Sequence, residues 1–236
     1  MTDEPEGAIL QRDGKTYAIV PRTPVGLLTP DELERIASVA RKFKIPIIKI
    51  TSGQRFALVG IERDDLDRIW EELGIAVGQA EELCLHYVQA CPGTETCKFG
   101  LQDSLGLGRQ LEAMFAGTEL PAKAKIGVSG CPFCCAESYV RDIGVVGTKR
   151  GFSLVVGGSS ARRPRVADLV REDLSGEQVI ALVRRILEYY GAHAKKRERL
   201  AKFVDRIGIE EIKDAIGQPG SPLAGANQPE RAAPGK

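Results

Sequence analysis

The chain has 236 residues, of which 43% are hydrophobic, and a formal net charge of +1. This length suits one large domain or two small ones, and the composition predicts a folded globular protein. The nearly balanced charge gives no reason to expect nucleic acid as a partner. No apolar run reaches about 18 residues, so no membrane span is predicted. The acidic residues 1–6 do not resemble a secretory signal, and we therefore expect a cytoplasmic location.

Residues 8–75 predict a compact α+β unit. Thr29 and Glu32 form a capping box that starts a helix, and apolar residues follow at helical spacing up to Phe43. A second amphipathic helix is predicted over 64–73. The strands of this unit are expected in antiparallel hairpins, over 9–11, 17–20, 46–50 and 55–61.

A second unit begins at Gly74 and is predicted to contain both strands and helices. A capping box at Ser175 and Gln178 opens a helix that continues to Tyr190. Residues 218–236 have the composition of a disordered tail. The other predicted elements are strands over 83–89, 124–128, 140–146 and 152–156 and helices over 98–115, 192–206 and 209–215.

Five of the six cysteines form two clusters, Cys91 and Cys97, then Cys131, Cys134 and Cys135. Without an export signal, such thiols are more typical of metal ligands than of disulfides. The wide first spacing favours a 4Fe–4S cluster over zinc, with disulfides third. Spacing alone leaves open whether Cys134 or Cys135 is the fourth ligand. The sixth cysteine, Cys84, is expected to be a small buried residue.

Several short motifs resemble the siroheme-binding signature of sulfite and nitrite reductases. The resemblance covers residues 15 to about 190. It is greatest to the small single-chain assimilatory-type sulfite reductases of anaerobes. The two cysteine motifs are Ala90-Cys91-Pro92-Gly93 with Cys97 and Gly130-Cys131-Pro132 with Cys135. The other motifs are Arg22-x-Pro24-x-Gly26, Thr51-Ser52-Gly53-Gln54 and Lys123-Ala124-Lys125.

The resemblance implies an α+β fold in a single copy of a repeat that larger enzymes carry twice. A ferredoxin-like half domain is expected over 1–75, followed by a mixed α/β domain over 76–191 that binds siroheme and a 4Fe–4S cluster. C-terminal helices over 192–217 and the tail over 218–236 complete the expected organisation.

The implied cofactors are a 4Fe–4S cluster and siroheme. Siroheme carries many carboxylates, and buried carboxylates require cations or hydrogen-bond donors. The Cys135 thiolate is implied to bridge cluster and siroheme iron, which selects it over Cys134. The implied cluster ligands are Cys91, Cys97, Cys131 and Cys135. The implied cofactor-binding residues are Thr51, Gln54, Arg55, Lys98, Lys149, Arg162 and Cys135, with Arg150, Arg163 and Arg165 as further candidates.

The resemblance also implies a pocket for a small oxyanion. Arg22, Lys123 and Lys125 are its implied cations, and strand alternation places the two lysines on the same side. His86 occupies a position where the family often has arginine. Because imidazole titrates near neutral pH, we expect the charge in the pocket to fall as pH rises. His86 is alternatively a hydrogen-bonded structural histidine.

Other departures concern Gly53 and Phe133, which stand where the family often has arginine and asparagine. Arg55 is expected to compensate for Gly53, and Phe133 to make the cofactor surroundings drier. The basic run 195–199 is expected to be a solvated helix face.

The expected activity is the six-electron reduction of sulfite to sulfide. Nitrite reduction to ammonia by the same centre is the alternative, and an electron-transfer protein with little turnover is a second hypothesis. A zinc-stabilised binding module is a third. The expected partners are the oxyanion and a reduced electron-donor protein such as a ferredoxin. A single copy of the repeat is compatible with a homodimer or a monomer.

Overall fold

The structure is a computed structural model that describes residue 5 and residues 7–78 and 82–217. The predicted disordered tail, 218–236, lies outside these residues. Within the described part, no helix is both long and apolar enough to cross a membrane.

The N-terminal unit is a four-stranded antiparallel sheet with two helices. Its elements are β1 (Ala8–Leu10), β2 (Tyr17–Ile19), α1 (Pro30–Lys42), β3 (Ile47–Ile50), β4 (Phe56–Ile61) and α2 (Leu66–Leu73). The strand order is β1-β2-β4-β3. The predicted capping box is present, since Thr29 and Glu32 each accept the other's backbone N–H. Both helices and the sheet share one apolar core, which confirms the predicted α+β unit.

The second unit is a five-stranded mixed sheet in the order β5-β6-β7-β8-β9. Its elements are β5 (Leu85–Ala90), α3 (Ser104–Phe115), β6 (Ala124–Ser129), β7 (Ile143–Thr148), β8 (Gly151–Val156), β9 (Asp168–Leu174), α4 (Gly176–His193), α5 (Leu200–Ile207) and α6 (Ile209–Ile216). The pairs β5–β6 and β6–β7 are parallel, whereas β7–β8 and β8–β9 are antiparallel. Residues of all four helices and of the sheet form a single apolar core.

Two predictions for this unit are wrong, and one strand was missed. The helix expected from residue 98 begins only at Ser104, because Asp103 caps it and the preceding loop bonds to the Gly130 carbonyl oxygen. The helix expected over 192–206 is interrupted by the loop 194–199. Strand β9 was not predicted, because it is partly exposed and rich in charged residues.

The two cysteine motifs meet because β5 and β6 are parallel neighbours. Ala90 at the end of β5 is in register with Val128 of β6, and the Cys91 N–H donates to the Val128 carbonyl oxygen at 3.1 Å. Parallel strands joined by a helix end at the same edge of a sheet. Cys91 and Cys131 therefore follow their strands at one edge.

The pairing of β5 with β6 contains a one-residue bulge at His86. Leu85 is paired with Ala124 and Tyr87 with Lys125, so His86 is the extra residue. Such a bulge reverses the alternation of side chains along the strand. Leu85 and Val88, three residues apart, consequently both join the apolar core, and Tyr87 shares the opposite face with Lys125.

Candidate active site

The loop that carries the second cysteine motif consists of two successive turns. The Cys134 N–H donates to the Cys131 carbonyl oxygen at 3.1 Å, and the Glu137 N–H donates to the Cys134 carbonyl oxygen at 2.8 Å. Cys134 and Glu137 both have left-handed backbone conformations, with φ of 56° and 54°. This compact backbone holds Cys131, Cys134 and Cys135 within a single short loop.

The four predicted cluster ligands lie close together. Although Cys135 is exposed, partial desolvation raises the pKa of its thiol, and the neighbouring Cys91, Cys131, Cys97 and Cys134 raise it further. Yet among the described residues no three His, Cys, Asp or Glu side chains are close enough to hold a single metal ion. Four convergent thiols are the donor set of a 4Fe–4S cluster.

The Gly130 N–H donates a hydrogen bond to Cys91 Sγ at 3.1 Å, which stabilises a thiolate. The Ser104 hydroxyl lies 3.3 Å from the same sulfur, but its one proton is donated to the Cys91 carbonyl oxygen at 2.8 Å. The two cysteine loops also touch, because a Cβ atom on Gly130 would lie 2.7 Å from the Gly93 Cα. Hydrogen bonds to ligand sulfurs influence the reduction potential of an iron–sulfur cluster.

Cationic side chains surround Tyr87 on the sheet face opposite the core. The Arg55 guanidinium carbon lies 4.9 Å from the Tyr87 ring centroid, and Lys125 Nζ lies 5.6 Å from it. A Cβ atom on Gly53 would lie 2.7 Å from the same ring. Gly53 therefore leaves room for Tyr87, a residue that the sequence analysis did not select.

His86 is buried next to this cationic face. Burial lowers its pKa to about 4, and the nearby Lys123 and Arg55 contribute to the shift. Its Nε2 lies 2.7 Å from the Glu82 carbonyl oxygen, which requires Nε2 to carry the proton. His86 is thus neutral at neutral pH, so the expectation that it titrates there is wrong.

Lys125 is held by a buried carboxylate that the sequence analysis also missed. Asp142 accepts the Lys125 backbone N–H at 3.0 Å. One terminal nitrogen of the Arg199 guanidinium, Nη2, donates to both Asp142 carboxylate oxygens, at 2.7 and 2.9 Å. Burial raises the pKa of Asp142, whereas Arg199 lowers it. The predicted helix face over 195–199 is instead a loop between α4 and α5. Its first three residues are exposed as predicted, whereas Arg199 reaches back to the sheet.

A second buried guanidinium, that of Arg141, lies on the same face. It donates to the Gln89 side-chain oxygen at 2.7 Å and is paired with Glu137, two residues after Cys135. Within the described part of the chain, Arg141 Nε and the Tyr87 hydroxyl are buried without a hydrogen-bond partner. Donors of this kind suit a ligand rich in carboxylates. In the sequence, the one indication of these buried groups is that the charged residues Arg141 and Asp142 stand side by side directly before a strand.

Three predicted site residues belong to the N-terminal unit, and each has a partner within that unit or in the second unit. Arg22 Nε lies 3.3 Å from the Glu112 carboxylate of α3. The Gln54 side-chain amide exchanges two hydrogen bonds with the Ala90 backbone, at 3.2 and 3.3 Å. Thr51 accepts the Arg55 N–H at 3.2 Å. The first two contacts connect the two units, and the roles of these residues toward substrate or cofactor remain predictions.

The remaining predicted cations are on loops. Lys98, Lys149 and Arg162 are exposed, and Lys98 lies beside the Phe99 ring. Their contact with a cofactor remains a prediction. Two further candidates have other partners, since Arg150 pairs with an aspartate of β9 and Arg165 pairs with Asp168 and Asp205.

Two exposed aromatic rings connect the cysteine loops. Phe99, two residues after Cys97, and Phe133 of the second loop are perpendicular, with centroids 5.3 Å apart. They are 52% and 70% exposed, so this contact covers little of either ring. The predicted drying effect of Phe133 on a cofactor is compatible with this position and remains a prediction.

Fold and site together define a two-unit α+β protein with four converging thiols beside a cationic sheet face. Residues 82–221 match the family model "Nitrite and sulphite reductase 4Fe-4S domain", and residues 9–74 match the "Nitrite/Sulfite reductase ferredoxin-like half domain". The chain belongs to the nitrite and sulfite reductase family.

Two curated relatives illustrate the range of this family. The chain is 57% identical over 216 residues to an assimilatory-type sulfite reductase of Nitratidesulfovibrio vulgaris, covering 92% of this chain and 99% of the relative. It is 39% identical over 212 residues to a nitrite reductase [NAD(P)H] of Bacillus subtilis, covering 90% of this chain but 26% of that protein.

Two solved structures share the fold at low sequence identity. Dissimilatory sulfite reductase I matches with a TM-score of 0.77 at 16% identity, over 92% of this chain and 72% of that one. The NirA protein of Mycobacterium tuberculosis matches with a TM-score of 0.73 at 19% identity, over 85% of this chain and 39% of that one.

Membership of the family implies a 4Fe–4S cluster and siroheme, and the residues present fit both groups. The converging thiols have the donor chemistry of a cluster site. The buried unpaired donors of Tyr87 and Arg141, with the cations around them, suit a polycarboxylate macrocycle.

Proposed function

We propose that this chain catalyses the six-electron reduction of sulfite to sulfide. The observation that carries the proposal is the placement of Lys125 and Tyr87 on neighbouring strands that lead directly into the cysteine loops. The 57% identity to an assimilatory-type sulfite reductase over nearly its whole length supports the same conclusion.

The proposed cluster ligands are Cys91, Cys97, Cys131 and Cys135. Arg55, Tyr87 and Arg141 are the proposed buried donors to siroheme carboxylates, with Thr51, Gln54, Lys98, Lys149 and Arg162 as the further predicted contacts. When bound, the two cofactors supply single electrons and an iron that binds the oxyanion.

The proposed role of Lys123 and Lys125 is to neutralise the bound oxyanion. Burial lowers the pKa of Lys125, and the nearby Arg199 lowers it further. A lysine with a lowered pKa releases a proton more readily, which suits donation from Nζ to an oxygen that leaves as water. His86 is neutral and donates its Nε2 proton to the Glu82 carbonyl oxygen, so it contributes no positive charge.

The test is sulfide production from sulfite with a reduced viologen dye. Lys123→Ala and Lys125→Ala should each lower kcat/KM on the order of a hundredfold while the visible spectrum of the cofactors is kept. Lys49→Ala, on the exposed strand β3, is the matched control and should retain full activity. Full activity in both site variants would overturn the proposed pocket.

Nitrite is a second candidate substrate, favoured by the 39% identity to a nitrite reductase. A comparison of kcat/KM for sulfite and nitrite on the same preparation decides between them. A larger value for nitrite would make nitrite reduction the principal activity.

We infer also that a small reduced electron-transfer protein such as a ferredoxin supplies the electrons in the cytoplasm. The exposed position of Cys97 in the first cluster loop supports direct delivery at this edge. Sulfite-dependent oxidation of a reduced ferredoxin by the holoenzyme is the corresponding assay.

A further inference from the structure

Two fully buried serines lie beneath the loop that carries Cys135. Ser129 ends β6 and Ser138 follows the loop, and neither is exposed to solvent. Ser129 Oγ accepts the Ala136 N–H at 3.1 Å and lies 2.8 Å from Ser138 Oγ. Ser138 Oγ donates to the Val145 carbonyl oxygen of β7 at 3.0 Å.

The directions of these hydrogen bonds follow from the number of protons available. A serine hydroxyl has one proton, and that of Ser138 is used on the Val145 carbonyl. The proton between the two serines therefore comes from Ser129. The result is a directed chain from the Ala136 N–H through Ser129 and Ser138 to Val145, in which each hydroxyl donates once and accepts once.

Glycines on the same two strands, β6 and β7, let this segment approach the sheet closely. A Cβ atom on Gly127 would lie 2.7 Å from the Ala136 carbonyl oxygen, and one on Gly144 would lie 2.1 Å from the Ser138 carbonyl oxygen. The backbone after Cys135 therefore lies directly on β6 and β7. It is held there by the hydroxyl chain and by close packing.

We propose that Ser129 and Ser138 are positioning residues for the Cys135 thiolate. The Cys135 side chain is exposed, so packing around it does little to fix its direction. The peptide group between Cys135 and Ala136 is instead fixed by the bond to Ser129, which limits the backbone rotation that moves the sulfur. This inference rests on the proposed function, in which Cys135 is a cluster ligand, and on the family resemblance, which implies that its thiolate is shared with siroheme.

The test uses Ser129→Ala and Ser138→Ala in the holoenzyme. Each should speed hydrogen exchange of the Ala136 amide by about tenfold, because its acceptor is removed or loses its own partner. Each should also shift the reduction potential of the cluster and weaken the spectroscopic coupling between cluster and siroheme, with kcat reduced and KM for sulfite unchanged. Ser153→Ala, at a buried serine of β8, controls for a general loss of stability and should leave the potential unchanged.

The double variant keeps the proposal testable if a single variant folds poorly. Removing both hydroxyls leaves the Ala136 N–H and the Val145 carbonyl oxygen unpaired, no more groups than either single change leaves. The stability losses of the two single variants should therefore not add in the double variant, which should still have a shifted potential. Unchanged exchange and potential in a loaded, active protein would overturn the positioning role. A wild-type chain that binds neither cofactor would instead overturn the proposed function.

Discussion

The side-chain amide of Gln54 exchanges two hydrogen bonds with the backbone of Ala90, the residue before Cys91. A residue of the N-terminal unit thereby completes the backbone bonding at the end of β5. The geometry makes the first cluster ligand dependent on a turn that lies 36 residues earlier in the chain.

Replacing Gln54 should therefore loosen the Cys91 loop. Two hydrogen bonds worth about 1 kcal/mol each predict that Gln54→Ala lowers the free energy of unfolding by about 1–3 kcal/mol, with less iron bound per chain. Urea unfolding and iron analysis measure both effects. Gln110→Ala, on the exposed side of α3, should change stability by less than about 0.5 kcal/mol. Equal effects of the two changes would contradict the connecting role of Gln54.

The ion pair between Arg22 and Glu112 predicts a pH-dependent loss of stability. Burial raises the pKa of Glu112, and the Val88 N–H and Arg22 lower it. Arg22→Ala removes the cation and should cost about 1–3 kcal/mol near neutral pH, less than in a fully buried pair because Arg22 is 34% exposed.

The loss of stability caused by Arg22→Ala should become smaller as pH falls. Without Arg22, the pKa of Glu112 in the folded state is raised further above its unfolded value, so the folded state takes up a proton first on acidification. Urea unfolding of wild type and variant at several pH values tests this, with Glu112→Gln added as the non-titrating partner. If Arg22→Ala lowered the free energy of unfolding by the same amount at all pH values, loss of the ion pair with Glu112 would not be the cause.

Serine substitutions should distinguish the adjacent thiols Cys134 and Cys135. Cys135→Ser is expected to lose the coupled spectrum and much of the bound iron, whereas Cys134→Ser should keep both. Cys84→Ser is the control outside the cluster loops, where burial raises the thiol pKa to about 11. Retention of a normal coupled spectrum in Cys135→Ser would assign the shared thiolate to another residue.

Protonation of His86 should weaken the fold in acid. Its pKa is lowered from 6.5 to about 4 in the folded chain, so between these values the unfolded state binds the proton more readily. Its contribution to stability is complete above pH 6.5 and is lost as pH falls toward 4. His86→Gln should flatten this dependence, whereas His193→Gln, at an exposed position, should not. Denaturant titrations at stepped pH provide the comparison, and identical slopes for both variants would refute the assignment.

The sequence predicted most elements of the fold because their signals are local. The capping boxes at Thr29 and Ser175 both form, and the cysteine motifs follow β5 and β6, the strands predicted over 83–89 and 124–128. Strand β9 was missed because its exposed charged residues hide the alternation that identifies a strand.

The part of the site that was not predicted depends on contacts distant in sequence. Tyr87, Arg141 and Asp142 are ordinary residues of a strand and a turn until folding brings them to Arg55, Gln89 and Arg199. The low pKa of His86 likewise arises from burial, which residue type alone does not reveal. Sequence motifs therefore predicted the cysteine ligands, whereas the buried side chains around the site became apparent only in the folded structure.

The bulge at His86 determines which side chains of β5 lie on the cationic face of the sheet. Downstream of it, Tyr87 and Gln89 face the cations, and Val88 and Ala90 face the core. In a strand of the same length without the bulge, residue 86 would pair with Lys125, and Tyr87 and Gln89 would turn toward the core. Val88 and Ala90 would then lie on the face proposed to bind the anion, although every cysteine would keep its place in the sequence.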